Sequence, residues 1–419
     1  MPTRLMLGAV LLALPLLTAT ANGQERTPVT TLDQLIDELV QNNPNIRAAQ
    51  FRFEAATRRP SQVSTLPDPK LRLVNLGVGR PLSRLNSDFA YWGIGVSQEI
   101  PFPGKLALAG EEAKREANSE REMYRNIVLE KTAELKVAYY EWFFVMKAIE
   151  ITRKNRDLLD RFEQIARTRY SVGRGIQQDV LRAQVEISAI VQQTEVFEQR
   201  KEAVEAKIRA LLNSERPLAT PAELRQSSIT LDMQRVLQLV EAQSPRLQAD
   251  RQMVASRAVG IDRARRESRP DFNVSFEWQK TGAAFPDYYM TAVELRIPLY
   301  ARRKQQLGAE EAAARLREAR ENFQAARQDL VFQAKDLFLS ARTSERLIAL
   351  YQSGIIPQTA VSLESALAGY EVGSVDFLTL VTNAMSVLSY EMQYYEELTK
   401  HEQALAKLEP LVGMELTRP

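Results

Sequence analysis

The 419-residue sequence contains no cysteine, a single histidine at position 401, only 17 glycines and 19 prolines, and 7% aromatic residues. Without cysteine there are no disulfides, thiol nucleophiles or thiolate metal sites, and one imidazole cannot supply a three-histidine zinc centre within one chain. An excess of one charge is missing too: 55 Lys and Arg face 53 Asp and Glu, which gives no electrostatic reason to expect a nucleic-acid partner. No Gly-x-Ser-x-Gly elbow, His-Glu-x-x-His helix or phosphate loop occurs; Gly104-Lys105 lacks the flanking glycine and hydroxyl such a loop requires. No cofactor, metal or catalytic constellation is therefore expected, and an exported enzyme is the weakest reading.

Long apolar runs are scarce as well. Arg4, the stretch Leu5 to Leu17, and Ala19-Thr20-Ala21 have the charged, apolar and small-residue regions of a secretory signal, assigned to residues 1–21 with cleavage as late as 23. That stretch falls short of the roughly 20 residues a spanning helix needs, and nothing else comes closer. The expectation is an exported chain with no transmembrane helix and, lacking Cys, no N-terminal lipid.

What the sequence has in quantity is self-similarity. Thr31-Leu32-Asp33, Leu39-Val40 and Pro44 recur as Thr230-Leu231-Asp232, Leu239-Val240 and Pro245. In the same order, Pro67-Asp68 returns as Pro270-Asp271, Ile100-Pro101 as Ile297-Pro298, Tyr170-Ser-Val-Gly173 as Tyr370-Glu-Val-Gly373, and Asp179-Val-Leu181 as Asp376-Phe-Leu378. Repeats this long indicate a duplicated domain rather than a solenoid, dividing the chain into 24–228 and 229–412 with a tail at 413–419.

Each half carries the same series of elements. A short helix (about 31–42 and 231–243) precedes a proline-initiated helix (44–64 and 245–269). Two strands follow, at about 68–79 and 89–100 in the first half and 270–280 and 288–298 in the second. Phe272, Val274, Phe276 and Trp278 alternate with polar residues, as do Trp92, Ile94 and Val96 with small ones. The first strand is less regular: Leu71 and Leu73 take one parity and Val74, Leu76 and Val78 the other, which allows a bulge or a different register.

After each Ile-Pro the apolar period changes to that of a helix. From Gly104 to Arg169 there is no Pro and, after Gly110, no Gly; from Arg302 to Leu367 the only breakers are Gly308, Gly354 and Pro357. A helix of about 65 residues is roughly 100 Å long. Each ends at a Val-Gly tip, where Gly supplies a left-handed cap, and a helix returns over 176–213 or 375–410, completing hairpins 103–213 and 302–410. The return helix and the proline-initiated helix together match one long helix, so a cross-section holds four helical rods per chain. The dense charges of 111–131 and 303–328 read as exposed or intersubunit faces.

The four strands have the length and two-faced pattern of outer-membrane barrel strands, but four cannot close a barrel. Further copies of the chain must complete it, with cyclic symmetry as the usual solution.

The paired repeats, the strand pairs ending in Ile-Pro, the long helices and the Tyr-x-Val-Gly tips followed by Asp-x-Leu resemble the TolC-type outer membrane efflux proteins over about residues 27–412. The resemblance implies a mainly α fold with a small β part. In it, long antiparallel hairpins form a trimeric α-barrel, and four strands per chain complete a twelve-stranded transmembrane β-barrel in outer-membrane lipid. It further implies a homotrimer with a long periplasmic extension, fed through a periplasmic adaptor by an inner-membrane pump of the resistance-nodulation-division type. Type I secretion channels share this outer component, and a periplasmic coiled-coil adaptor or scaffold is a further alternative that leaves the strands unexplained. The turn Gln98 to Lys105 looks like the heavy-metal branch resembling CzcC and CusC.

By the same resemblance, the tips Val172, Gly173, Arg174, Val372, Gly373 and Ser374 contact the adaptor. Asp376 matches the first member of an acidic aperture motif, whose second position is Thr379, and three such carboxylates near one axis would favour cations. Tyr370 matches a tyrosine that latches the closed aperture, although this tip is about three residues shorter and lacks the usual arginine. His401 reads as a residue of a solvated face, and Met385 and Met392 as packing residues at helical spacing.

Overall fold

The computed structural model describes residues 29–77, 90–282 and 285–416. The signal-peptide assignment and Val78 lie outside them. In chain order the elements are β1 (Val29–Thr30), α1 (Leu32–Asn42), α2 (Pro44–Ser64), β2 (Lys70–Leu76), β3 (Tyr91–Ile100), α3 (Lys105–Ser171) and α4 (Gln177–Leu212). The second half follows with β4 (Thr220–Pro221), α5 (Met233–Gln243), α6 (Pro245–Arg266), β5 (Asp271–Thr281), β6 (Tyr288–Arg296), α7 (Gln305–Leu350), α8 (Ile356–Val372) and α9 (Phe377–Val412). Between α7 and α8, Tyr351–Ile355 form one π-helical turn. That turn places Pro357, which has no N–H to donate, in the first turn of α8, so the rod continues past two breakers.

Helix α3 is 67 residues long, and roughly 100 Å from end to end. It is flanked on one side by α2 and α4 and on the other by α6 and α9; α7 packs outside α6 and α9. The rods therefore lie in the order α2/α4, α3, α6/α9, α7/α8. The core is distributed along this layer rather than concentrated. Leu35, Leu39, Leu135, Trp142 and Ile208 join α1, α3 and α4 near mid-length, and Val240, Leu247, Ala334, Phe338 and Leu408 repeat the arrangement around α5, α7 and α9.

Part of the charge on the first long helix lies between helices of one chain, and part, such as Arg115 with Glu111 and Lys131 with Glu134, pairs along the helix itself. Glu116 on α3 takes Arg59 of α2 at 2.9 Å and Arg257 of α6 at 3.3 Å, and Glu112 takes Arg263 at 2.8 Å. Lys136 is 2% exposed and meets Glu409 of α9 at 2.7 Å. His401 corrects the sequence reading: it is fully buried, with Nδ1 2.9 Å from the Ala341 carbonyl and Nε2 2.8 Å from that of Ser227. Its neighbour Glu402 accepts from the Ser227 N–H at 2.6 Å and hydroxyl at 2.8 Å. The apolar stripe alone could not reveal this, because the segment that covers the histidine is the loop linking the two repeats.

Four strands form one antiparallel sheet in the order β2-β3-β5-β6, the order of the rods they continue into, while β1 and β4 pair in parallel as a separate two-residue ladder between the repeats. Pairing of β2 with β3 is continuous from Lys70 opposite Ser97 to Leu76 opposite Tyr91, so the irregular first strand carries neither a bulge nor a slip. Leu71 and Leu73 stand beside Val96 and Ile94, whereas Val74 and Leu76 lie on the other face.

Candidate functional site

Two regions carry chemistry that the core does not need: the faces of the sheet and the far ends of the hairpins. One face of the sheet bears Leu71, Leu73, Trp92, Ile94, Val96, Phe276, Val293 and Leu295, all more than a third exposed. A contiguous apolar surface of this extent fits lipid, not water. The opposite face carries Ser97, Glu99, Asn273, Ser275, Glu277, Gln279, Glu294 and Arg296. There Arg296 meets Glu99 at 2.9 Å, and Gln279 donates to Glu277 at 2.6 Å. These last two side chains lie across Gly93 and Gly95. A Cβ at Gly93 would stand 2.8 Å from the Trp278 carbonyl and 3.0 Å from Gln279 Cγ.

No helix among the described residues is long and apolar enough to cross a membrane. Both edge strands, β2 and β6, have one side unpaired among the described residues.

At the other end, each long rod stops at a glycine in the left-handed region, Gly173 at φ 73° and Gly373 at φ 85°. Both tips close identically: Gly173 N–H donates to Tyr170 O at 3.0 Å and Arg174 N–H to Arg169 O at 2.8 Å, with Gly373 to Tyr370 and Ser374 to Gly369 matching them at 3.1 and 2.9 Å. Any side chain at Gly173 or Gly373 would hold its backbone in a strained conformation. Val172 and Val372 are 63% and 81% exposed at the two apices, and Arg174 and Ser374 are exposed beside them. The predicted contact residues thus form two neighbouring knobs, joined by a core of Phe162, Ala166, Val180, Tyr370, Phe377 and Leu380.

Tyr370 is buried between the hairpins. Its hydroxyl donates to Asp179 Oδ2 on α4 across 3.4 Å, and its ring lies 4.6 Å beneath the Arg169 guanidinium. Arg169 also donates to the Tyr370 carbonyl and, at 3.4 Å, to those of Glu371 and Arg174. The cation missing from the second tip is supplied by the first. Sequence reasoning did not select Arg169 or Asp179. The available signal was that Arg169 precedes Tyr170 while its counterpart before Tyr370 is Gly369, a difference between two otherwise similar tips.

Burial, then the neighbouring Asp179 carboxylate, pushes the Tyr370 phenol up to about 12. Burial also raises Asp179. Asp376 behaves oppositely: it is the exposed N-cap of α9, its Oδ1 accepts the Thr379 N–H at 2.7 Å, and that bond lowers its pKa. Thr379 is exposed in the first turn, donates its backbone N–H to Asp376, and has its carbonyl taken by Asn383. The structure therefore brings Tyr370 together with Asp179 and Arg169, and leaves Asp376 and Thr379 at the surface. No group of acidic and histidine side chains suited to a metal ion occurs among the described residues.

This architecture is shared with solved channels. The chain superposes on the outer membrane protein VceC of Vibrio cholerae with a TM-score of 0.78 at 15% identity, covering 92% of this chain and 97% of that one. It matches the open state of the MtrE outer membrane channel of Neisseria gonorrhoeae with a TM-score of 0.77 at 16% identity over 92% and 90% of the chains. For CusC the values are 0.81 and 14%, over 93% of each. No curated protein sequence matches this chain. The family model for outer membrane efflux proteins, however, matches residues 35–214 and 236–414, one span for each repeat. With the lipid-facing sheet continuous with helical hairpins, that match places the chain in the outer membrane efflux protein family.

Proposed function

We propose that this outer membrane channel is the passive efflux duct of a tripartite system: a homotrimer that receives substrate from a periplasmic adaptor and an inner-membrane pump of the resistance-nodulation-division type. The observation that carries this reading is the sheet, apolar on one exposed face, polar on the other, and unpaired at both edges. In lipid every strand edge needs a partner, so four such strands require further copies. Three would give twelve strands above twelve helical rods.

In this reading the knobs of Val172, Gly173 and Arg174 and of Val372, Gly373 and Ser374 dock the adaptor's helical ends. Tyr370, bound to Asp179 and covered by Arg169, holds the two hairpins of one protomer together and so latches the aperture. Asp376, ionised over a wide pH range and exposed beside Thr379, gathers with its copies near the axis and favours cations. In this reading the energy for transport is supplied by the pump. Reconstitution into planar bilayers tests this: detergent-resistant trimers from outer-membrane fractions should give small, cation-biased conductance. Recovery of a water-soluble monomer from native cells would refute it.

A further inference from the structure

The internal duplication gives more than a copy number. Within the chain, the second strand of the first repeat, β3, pairs with the first strand of the second repeat, β5, from Tyr91 opposite Thr281 to Ile100 opposite Phe272. At the rim of that junction Lys105 is 7% exposed and reaches Asp271 at 2.9 Å and Glu267 at 3.2 Å, while Asp271 also accepts the Phe102 N–H at 2.8 Å. The second strand of the second repeat, β6, and the first strand of the first repeat, β2, are the same two kinds of strand, and they are the two free edges.

The trimeric reading already leaves β6 of one protomer only β2 of the next to pair with; we infer that they pair in the register that β3 and β5 use within the chain, closed at the rim by Asp68 and the basic turn Arg302-Arg303-Lys304. Superposing Ile100-Pro101 on Ile297-Pro298 and Asp271 on Asp68 fixes the pairing: Val293 stands opposite Leu73, Glu294 opposite Arg72, and Leu295 opposite Leu71. The inference rests on the trimeric reading above but specifies what that reading leaves open.

Several independent features agree with this register. It keeps Leu71, Leu73, Val293 and Leu295, exposed by 69, 73, 62 and 53%, on one continuous apolar face; a slip of one residue would turn one strand's apolar set toward the polar side. It sets the Glu294 carboxylate beside Arg72, whose guanidinium has no acidic partner within the described chain. The like-charged meeting it creates, Arg296 with Lys70, is relieved because Arg296 already holds Glu99 at 2.9 Å.

The rim repeats the logic. Counted from Ile-Pro, Arg302 occupies the place of Lys105, and the turn before α7 is longer than that before α3, adding further cations. Yet Lys105 is neutralised inside its own chain, whereas Arg302, Arg303 and Lys304 are exposed and make no ion pair with described residues. Asp68, the counterpart of Asp271, is likewise exposed and without a hydrogen bond or ion pair there. Each half of the missing contact is present on the opposite edge of the same molecule.

The absence of native cysteine makes the test direct. Leu73→Cys is combined with Val293→Cys, with Thr291→Cys or with Leu295→Cys in the full chain, in outer membranes, and oxidised; a two-residue slip moves partners by roughly 7 Å, beyond disulfide reach. The 73–293 pair should cross-link fastest, giving covalent dimers and trimers on denaturing gels. If trimers persist but the 73–291 or 73–295 pair reacts fastest, the register is wrong while the trimeric reading stands; if no trimer forms before oxidation, both fail. For the rim, Asp68→Arg should lower the temperature at which trimers dissociate in detergent, and adding Arg302→Asp with Arg303→Asp should restore it. An unchanged dissociation temperature in Asp68→Arg would overturn the rim contact.

Discussion

The two long helices descend from one repeat unit, yet they live in different surroundings. Of the 67 residues of α3, 24 are buried, including Tyr139, Tyr140, Trp142, Phe143 and Phe144, which face three separate clusters around the helix. Of the 46 residues of α7 only 7 are buried, while Phe332, Leu339 and Leu350 are 66, 58 and 51% exposed. The cause is position: α3 has rods on both sides and α7 on one. A duplicated domain thus acquires an inside copy, whose sequence is answerable to its own chain, and an outside copy, whose open flank is answerable to a neighbour.

The largest effect should come from breaking the inside copy. Lys136→Ala leaves the Glu409 carboxylate buried without its ammonium and is expected to destabilise the protomer by about 3–5 kcal/mol. Lys335→Ala, on the exposed face of α7, should stay within about 0.5 kcal/mol in the same denaturant titration. A similar loss in both would erase the distinction. Next, Phe332→Ser with Leu339→Ser should leave helicity by circular dichroism unchanged and shift the oligomer toward monomer in detergent, since those side chains touch little in their own chain.

The third prediction concerns the contact that joins inside and outside copies at the tip. Tyr370→Phe removes its bond to Asp179, worth about 0.5–1.5 kcal/mol per protomer, and should raise conductance. The pH dependence follows from the raised phenol. A group whose folded pKa is raised stabilises fully below its unfolded value of 10.0 and loses that contribution as pH climbs through about 12. The wild-type tip should therefore loosen between those values, a step absent from the conductance of Tyr370→Phe. The smallest effect belongs to Asp376→Asn, which keeps the cap acceptor and removes the charge. Cation preference should decline with trimer stability unaltered, and unaltered selectivity would remove Asp376 from the aperture role.

Much of the fold was legible because its determinants are local. Gly and Pro spacing placed the ends of the helical rods to within about three residues, without the break that divides the second long rod at Tyr351–Ile355, and alternation marked three of the four barrel-type strands while β2 stayed irregular. The π-helical turn follows from Gly354 and Pro357, which marked a weak point but not its geometry. What stayed hidden were contacts between distant segments: Lys136 with Glu409, His401 beneath Ser227, and Arg169 over Tyr370 join residues separated by 273, 174 and 201 positions. No periodicity encodes such pairs, since each depends on how one hairpin lies on the other. The tip site was accordingly half visible: Tyr370 stood out by its repeat, and its two partners did not.

The pair of glycines on β3 bears on calibre. Glu277 and Gln279 fold down into the space left by Gly93 and Gly95, so that their side chains lie flat along the polar face instead of projecting from it. A single methyl group at Gly93 or Gly95 would press on Gln279 Cγ at 3.0 Å or Glu277 Cγ at 3.2 Å and lift an amide or a carboxylate off the sheet, into the path of whatever passes along its polar face.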